Sequence, residues 1–189
     1  MVNMKYKEIY AKDFLNKFSE NEKNQISELE VNTPESFEIN LNNIISILGL
    51  EIKKTYNDYS GKIEENVIEI NANEPITRQR FTIAHEIGHY LLKHEGILYR
   101  TENKETYDSY TKYLQEFMAN QIAAELLMPE KLVYLAVDYG MKTLNWEKDM
   151  LLSTENIDEL TKLLSKKMNV SFQAMSYRLN NLEVFVDIE

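Results

Sequence analysis

The sequence predicts an α+β fold, mostly helical, with one small three-stranded sheet and a pair of helices at the C-terminus. Three observations carry this prediction. Apolar residues recur at i, i+3, i+4 and i+7 over several stretches, the pattern of helices packed by one face. Between positions 50 and 71 the pattern changes to short strand-like runs punctuated by Ser60-Gly61 and Glu65-Asn66. A hydrophobic fraction of 43% over 189 residues is enough to fill the core of one domain, or one domain with a small appendage.

Taken in order, residues 5–18 place Tyr6, Ile9, Tyr10, Phe14 and Phe18 on one helical face, which predicts a helix docked at the domain edge. Residues 19–36 are polar and turn-rich and read as a loop or linker, so 1–35 stand as a separate N-terminal segment. Leu41, Ile44, Ile45 and Leu48 repeat at helix spacing, with Gly49 as the stop. Leu50–Tyr56, Tyr59–Glu64 and Asn66–Asn71 read as strands. The next helix opens after Pro75, with Thr77 as its expected N-cap. Residues 93–109 are polar and predict a connection, followed by a helix carrying Tyr110, Tyr113, Leu114, Phe117, Met118, Ile122 and Leu126. It stops at Met128-Pro129, and another helical segment covers 130–139. The stretch around Trp146 lacks a clear period and closes a central domain of 36–154. Residues 155–189 form the C-terminal helical pair, 156–168 and 171–182, the second capped by Ser171.

Composition narrows the chemistry. The chain has no cysteine, which removes disulfides, thiolate metal sites and cysteine nucleophiles together and leaves histidine and carboxylates as the strong metal ligands. A net charge of −10 argues against a nucleic-acid footprint. The C-terminal pair has helix-turn-helix spacing, but only Arg178 is basic in its second helix, so packing on the central domain is the favoured reading over DNA recognition. No apolar run approaches 18 residues and the first residues are charged, so the expectation is a soluble cytoplasmic protein.

The chemistry concentrates in Arg80–Leu92, which carries His85-Glu86-Ile87-Gly88-His89 on an otherwise apolar helix. On a helix, His85 and His89 lie one above the other, about 6 Å apart along the axis, and can grip one Zn²⁺. Glu86 is rotated by about 100° from His85. That rotation takes it away from the ion and towards the water the ion activates, where a general base has to be. Two of the chain's three histidines hold this motif, on a helix where unpaired polar groups are costly.

A catalytic zinc normally takes three protein ligands. His94 points about 140° from His89 if the helix continues, and no glycine intervenes to turn the chain back. Glu116 is the better third ligand, because it shares a helix face with Asn120, Ala123 and Leu127 and borders the apolar stripe. Asn120, one turn on, is placed to hydrogen-bond a ligand. Of the other carboxylates, Glu102, Glu105 and Asp108 fall in the polar connection, and Glu125 lies about 180° from Glu116. Tyr107, Tyr110 and Tyr113 are the nearest oxyanion donors in sequence, and nothing selects one. The strand 66–71 runs towards the motif helix. As an exposed edge, Val67, Ile68, Glu69 and Ile70 would hold an extended substrate by backbone pairing.

Two blocks carry a family resemblance. Arg78-x-Arg80-Phe81-Thr82-x-Ala84-His85-Glu86-x-Gly88-His89 is followed by Glu116-x-x-Ala119-Asn120-x-x-Ala123-Ala124-Glu125-Leu126-Leu127-Met128-Pro129. Together with Val170-Ser171-x-x-Ala174-Met175-x-Tyr177-Arg178-Leu179, they resemble the ImmA/IrrE family of zinc metallopeptidases over about residues 40–182. The resemblance implies a zincin-like domain with one Zn²⁺ held by His85, His89 and Glu116, and Glu86 as the catalytic residue. It also implies a protein partner, a helix-turn-helix repressor of a mobile element or of a stress or toxin–antitoxin module, cleaved as substrate. The expected activity is therefore zinc-dependent endopeptidase. The rival is a zinc-stabilised protein that sequesters a regulator without cleaving it, and an intact Glu86 argues against that.

Overall fold

The computed structural model describes the backbone of residues 2–56, 58–94, 104–147 and 150–185, and their side chains except at 2, 32, 93–94 and 104–109. The chain opens with β1 (Val2–Lys5), α1 (Tyr6–Ile9), α2 (Lys12–Leu15), α3 (Glu20–Ser27) and β2 (Glu30–Thr33). Next come α4 (Leu41–Ile47), β3 (Glu51–Thr55), β4 (Gly61–Glu64) and β5 (Val67–Asn71). The rest is helical: α5 (Ile76–His94), α6 (Lys104–Leu127), α7 (Glu130–Thr143), α8 (Thr154–Met168) and α9 (Phe172–Asn181). The α+β expectation holds. Among the described residues no helix is long and apolar enough to cross a membrane.

The N-terminal segment departs most from expectation. Residues 5–18 are two one-turn helices separated by extended backbone at Tyr10 (ψ 144°) and Ala11 (ψ 149°). The break lets Tyr6, Tyr10, Phe14 and Phe18 form a continuous ladder of rings, with centroids 5.5, 4.9 and 5.9 Å apart. Ring packing outweighs local helix propensity here. Residues 19–36 are not a loop either. Ser19 and Glu22 form a reciprocal cap that opens α3, and β2 pairs antiparallel with β1. The Tyr10 hydroxyl donates to the Leu126 carbonyl at 2.6 Å, so this segment grips the far end of α6. The buried aromatics share one hydrophobic cluster with α5, α6 and α8.

The second sheet has the order β3-β5-β4, with β3 parallel and β4 antiparallel to β5. This corrects the expected substrate edge. Val67, Ile68, Glu69 and Ile70 lie in the central strand, flanked by β3 on one side and β4 on the other, so they present no open edge to a peptide. Ile68 and Ile70 point into the core.

Helix α5 begins at Ile76, immediately after Pro75, rather than being capped by Thr77; Pro75 accepts from the Arg78 and Gln79 amides. It continues to His94 and α6 already starts at Lys104, so the polar connection of 93–109 is shorter than its composition suggests. In a stretch of low apolar content, helix propensity and continuation of a packed helix can extend an element past its periodic part.

The C-terminal pair matches expectation closely. Ser153 and Asn156 cap α8, Asn169 closes it in the left-handed region (φ 51°), and Ser171 caps α9. Two arginines, Arg178 buried and Arg80 partly buried, tie this pair to the motif helices. Arg80 donates to the Asn169 and Ile39 carbonyls at 3.0 and 2.9 Å and pairs with Glu38 at 2.6 Å. Burial lowers its pKa, and the Glu38 carboxylate opposes that. Arg178 donates to the Met128 carbonyl at 2.9 Å and is ion-paired with Glu125. The one basic residue of α9 is thus spent inside the protein rather than held out to a phosphate.

Candidate metal centre

Helix α5 buries Ile83, Ala84, Ile87, Leu91 and Leu92. His85 and His89 sit on the border of that face, half-buried. One residue decides how near α6 can come. A Cβ added to Gly88 would stand 2.9 Å from both the Cα and the carbonyl oxygen of Ala119. The two helix backbones therefore touch at this point, a residue before His89 and three residues after Glu116, and the carboxylate is carried up to the imidazoles.

The result is a tight donor cluster. His85 Nε2 is 3.0 Å from His89 Nε2 and 3.3 Å from Glu116 Oε2, and His89 Nε2 is 3.5 Å from Glu116 Oε1. Ligand atoms set tetrahedrally about 2 Å from one centre stand about 3.3 Å from each other. The observed spacings bracket that value, and two imidazoles with a carboxylate are a donor set suited to zinc. The residues therefore fit a bound metal ion. Asn120 Oδ1 lies 2.9 Å from His85 Nδ1. Accepting from the Nδ1 proton, it leaves the Nε2 lone pair directed into the cluster, the usual way a partner fixes the tautomer of a metal-binding histidine.

Glu116 is less buried than expected, its side chain 49% exposed, so the cluster opens to solvent on the α6 side. Glu86 is buried at 6%. It faces the sheet: a Cβ on Gly61 would come within 3.7 Å of Glu86 Oε1, 2.9 Å of the Glu69 carbonyl oxygen and 2.3 Å of Thr82 Cγ2. Gly61 is thus what lets β4 lie against the motif helix. The sequence marks Gly61 as a turn residue; the signal that fits is a glycine inside a strand, which points to close approach of another backbone.

The structure brings together His85, His89, Glu116 and Asn120, with Glu86 directly after His85 in sequence. Val67, Ile68, Glu69 and Ile70 are not part of the cluster; they lie in the central strand, paired with β3 and β4. Glu125 is turned towards Arg178. The side chains of His94, Glu105, Tyr107 and Asp108, and the whole of Glu102, lie outside the described residues.

Comparison with known proteins gives the family and a similar fold. A transcriptional regulator of Mycobacterium tuberculosis has a similar fold, with a TM-score of 0.50 and 13% identity over 94% of this chain and 52% of that one. The radiation response metalloprotease IrrE of Deinococcus radiodurans is 39% identical over 74 residues, which are 37% of this chain and 21% of that protein. The family model described as the IrrE N-terminal-like domain matches residues 44–180, a span that takes in the whole donor cluster. The chain belongs to the Peptidase M78 family of IrrE N-terminal-like domains.

Proposed function

We propose that this protein is a zinc-dependent endopeptidase whose metal is held by His85, His89 and Glu116 and whose general base is Glu86. The observation that carries the reading is the convergence of three donor groups from two helices, with a buried carboxylate next to them on α5. A zinc ion in that cluster supplies electrophilic polarisation of the scissile carbonyl and of the attacking water. Glu86 accepts the proton of that water and returns it to the departing amine. Its burial between α5 and β4 keeps the carboxylate oriented and limits competing solvation. Asn120 holds the His85 ring, and the Gly88–Ala119 contact holds Glu116 in reach.

The pairing edge for an extended substrate passes from β5 to β4. That strand hydrogen-bonds β5 on one side, and among the described residues no strand lies on its other side. It is also the strand that abuts Glu86. A peptide added there would gain main-chain hydrogen bonds that read shape more than sequence. The proposed substrate is a helix-turn-helix repressor, on the strength of the family resemblance. A helix cannot pair with a strand edge until it unwinds, so cleavage should fall in a segment that opens locally.

The test combines metal analysis with cleavage of a purified helix-turn-helix repressor, any such protein encoded beside the gene being the first to try. Glu86→Gln is expected to keep its fold and one zinc per chain while losing activity by 10²–10⁴-fold, the usual worth of a general base (order of magnitude). His85→Ala, His89→Ala and Glu116→Ala should each lose the metal. Full zinc retention in Glu116→Ala removes the third ligand from the proposal, and wild-type cleavage by Glu86→Gln removes the mechanism. Proline at Lys62, Ile63 and Glu64 in turn tests the edge. Unchanged cleavage by every folded, zinc-loaded variant would exclude pairing along β4.

A further inference from the structure

Three large aromatic side chains stand out of α6 beside the metal cluster: Tyr110, Tyr113 and Phe117 are 64, 66 and 50% exposed. They keep helical spacing at i, i+3 and i+7. At about 100° per residue they fall between roughly 60° and 120° round the helix from Glu116, on the side turned away from the buried Ala119, Ile122 and Leu126. Phe117 is the neighbour of Glu116 in sequence, and Tyr113 lies one turn before it. The same α6 surface that delivers the third donor group therefore continues as an apolar stripe. Contiguous exposed apolar surface of this kind marks a binding site more often than chance exposure does.

We infer that Tyr113 and Phe117, with Tyr110 at the outer end, form the wall that selects a large apolar side chain next to the scissile bond of an extended peptide. The inference rests on the peptidase reading and specifies its substrate class. The occupant is argued from position and charge. The stripe is continuous with the donor cluster, with β4 on the Glu86 side and α6 on the Glu116 side, so a chain laid past the cluster must present a side chain to it. Glu116 is the only acidic residue between Tyr110 and Ala124, and its carboxylate faces the histidines, while the one basic residue of that span, Lys112, projects about 100° round the helix from Tyr113, so the stripe itself carries no charge. Tyrosine and phenylalanine combine large contact area with few rotatable bonds, which keeps the ordering cost of contact low.

The experiment uses the full zinc-loaded chain and fluorescein-labelled ten-residue peptides of glycine, serine and threonine carrying one central leucine, glycine or aspartate. Binding is read by anisotropy in the Glu86→Gln protein, so that recognition is separated from cleavage. The leucine peptide should bind about ten-fold tighter than the glycine peptide, the discrimination a single apolar contact gives. Tyr113→Ser with Phe117→Ser should erase that difference, with zinc content and circular dichroism unchanged, and Phe117→Leu should retain most of it. In the cleaving protein the same double substitution should raise KM far more than it lowers kcat. A leucine preference in Glu86→Gln without any cleavage by the wild type would sink the peptidase reading and leave the apolar subsite standing. Equal binding of the three peptides overturns the inference, as does a preference that survives the double substitution. A wild-type dimer that the double variant dissolves, with peptide binding unaffected, would assign the stripe to self-association and overturn it as well.

Discussion

Replacing Gly88 by alanine should damage the metal centre without touching any ligand. The new Cβ would lie 2.9 Å from two backbone atoms of Ala119, neither of which can rotate away. Carbon atoms in comfortable contact are about 3.5–4.0 Å apart, so the helices must separate by roughly 0.6–1.1 Å at this point. Overpacking of this kind typically costs about 1–3 kcal/mol of stability. The effect on the metal should be larger than the stability loss suggests, because ligand positions tolerate only about 0.2 Å. Glu116 rides on the helix that moves, while His85 and His89 stay on the other. The expected result is a fall in zinc affinity of about ten-fold or more, comparable with the loss of a partner that orients a ligand, measured by competition with a chromophoric chelator. Thermal unfolding with and without zinc reads the packing cost separately. Gly49→Ala is the control. Gly49 has φ +65° and nothing within 4 Å of its added Cβ, so strain lowers stability while zinc affinity stays put. A Gly88→Ala protein with wild-type zinc affinity would refute the claim that helix approach sets the third donor.

Two further outcomes rest on named contacts. Asn120→Ala frees the His85 Nδ1 proton from its acceptor and should weaken zinc binding by about 10–100-fold with little change in the apo-protein's melting temperature; an unchanged affinity in calorimetry would show that the ring is held by other means. Tyr10→Phe removes the hydroxyl donor to Leu126 and should cost about 1–3 kcal/mol in urea unfolding. The same substitution tests a pH effect. Burial pushes the Tyr10 phenol well above its ordinary value of 10, so its contribution is complete below pH 10 and is lost as the pH rises above it. The wild type should therefore lose stability above pH 10 more steeply than Tyr10→Phe, and parallel curves would show that the phenol ionises freely in the fold.

The site is more legible in the sequence than the elements around it. Two histidines four apart on an apolar helix and a carboxylate bordering a second apolar stripe are local patterns, and the fold places Glu116 and Asn120 where helix arithmetic puts them. Strand order is not local. Nothing in Val67–Asn71 says that it will be flanked on both sides, because pairing depends on where Glu51–Thr55 returns. The N-terminal segment is obscure for a different reason. Tyr6, Tyr10, Phe14 and Phe18 satisfy a helical period and a ladder of stacked rings equally well, and the choice is made by α6 and the core they meet. Ser19 and Glu22 are a readable start signal for α3, hidden only by the polarity of the helix they open.

The Arg80 clamp has a consequence for how the protein comes into being. One guanidinium answers to a carbonyl 41 residues upstream and to another 89 residues downstream, at Asn169. Synthesis supplies the first early and the second only near the end of translation. Until then Arg80 has Glu38 and the Ile39 carbonyl but not the Asn169 carbonyl, and closing so long a loop is slow compared with folding any single helix. Final anchoring of the motif helix is thereby coupled to synthesis of the C-terminal pair. A nascent polypeptide that already contains His85, Glu86, His89 and Glu116 still lacks one of the anchors that hold the motif helix in place. Ribosome-bound fragments ending before α8 should accordingly be poor at retaining zinc.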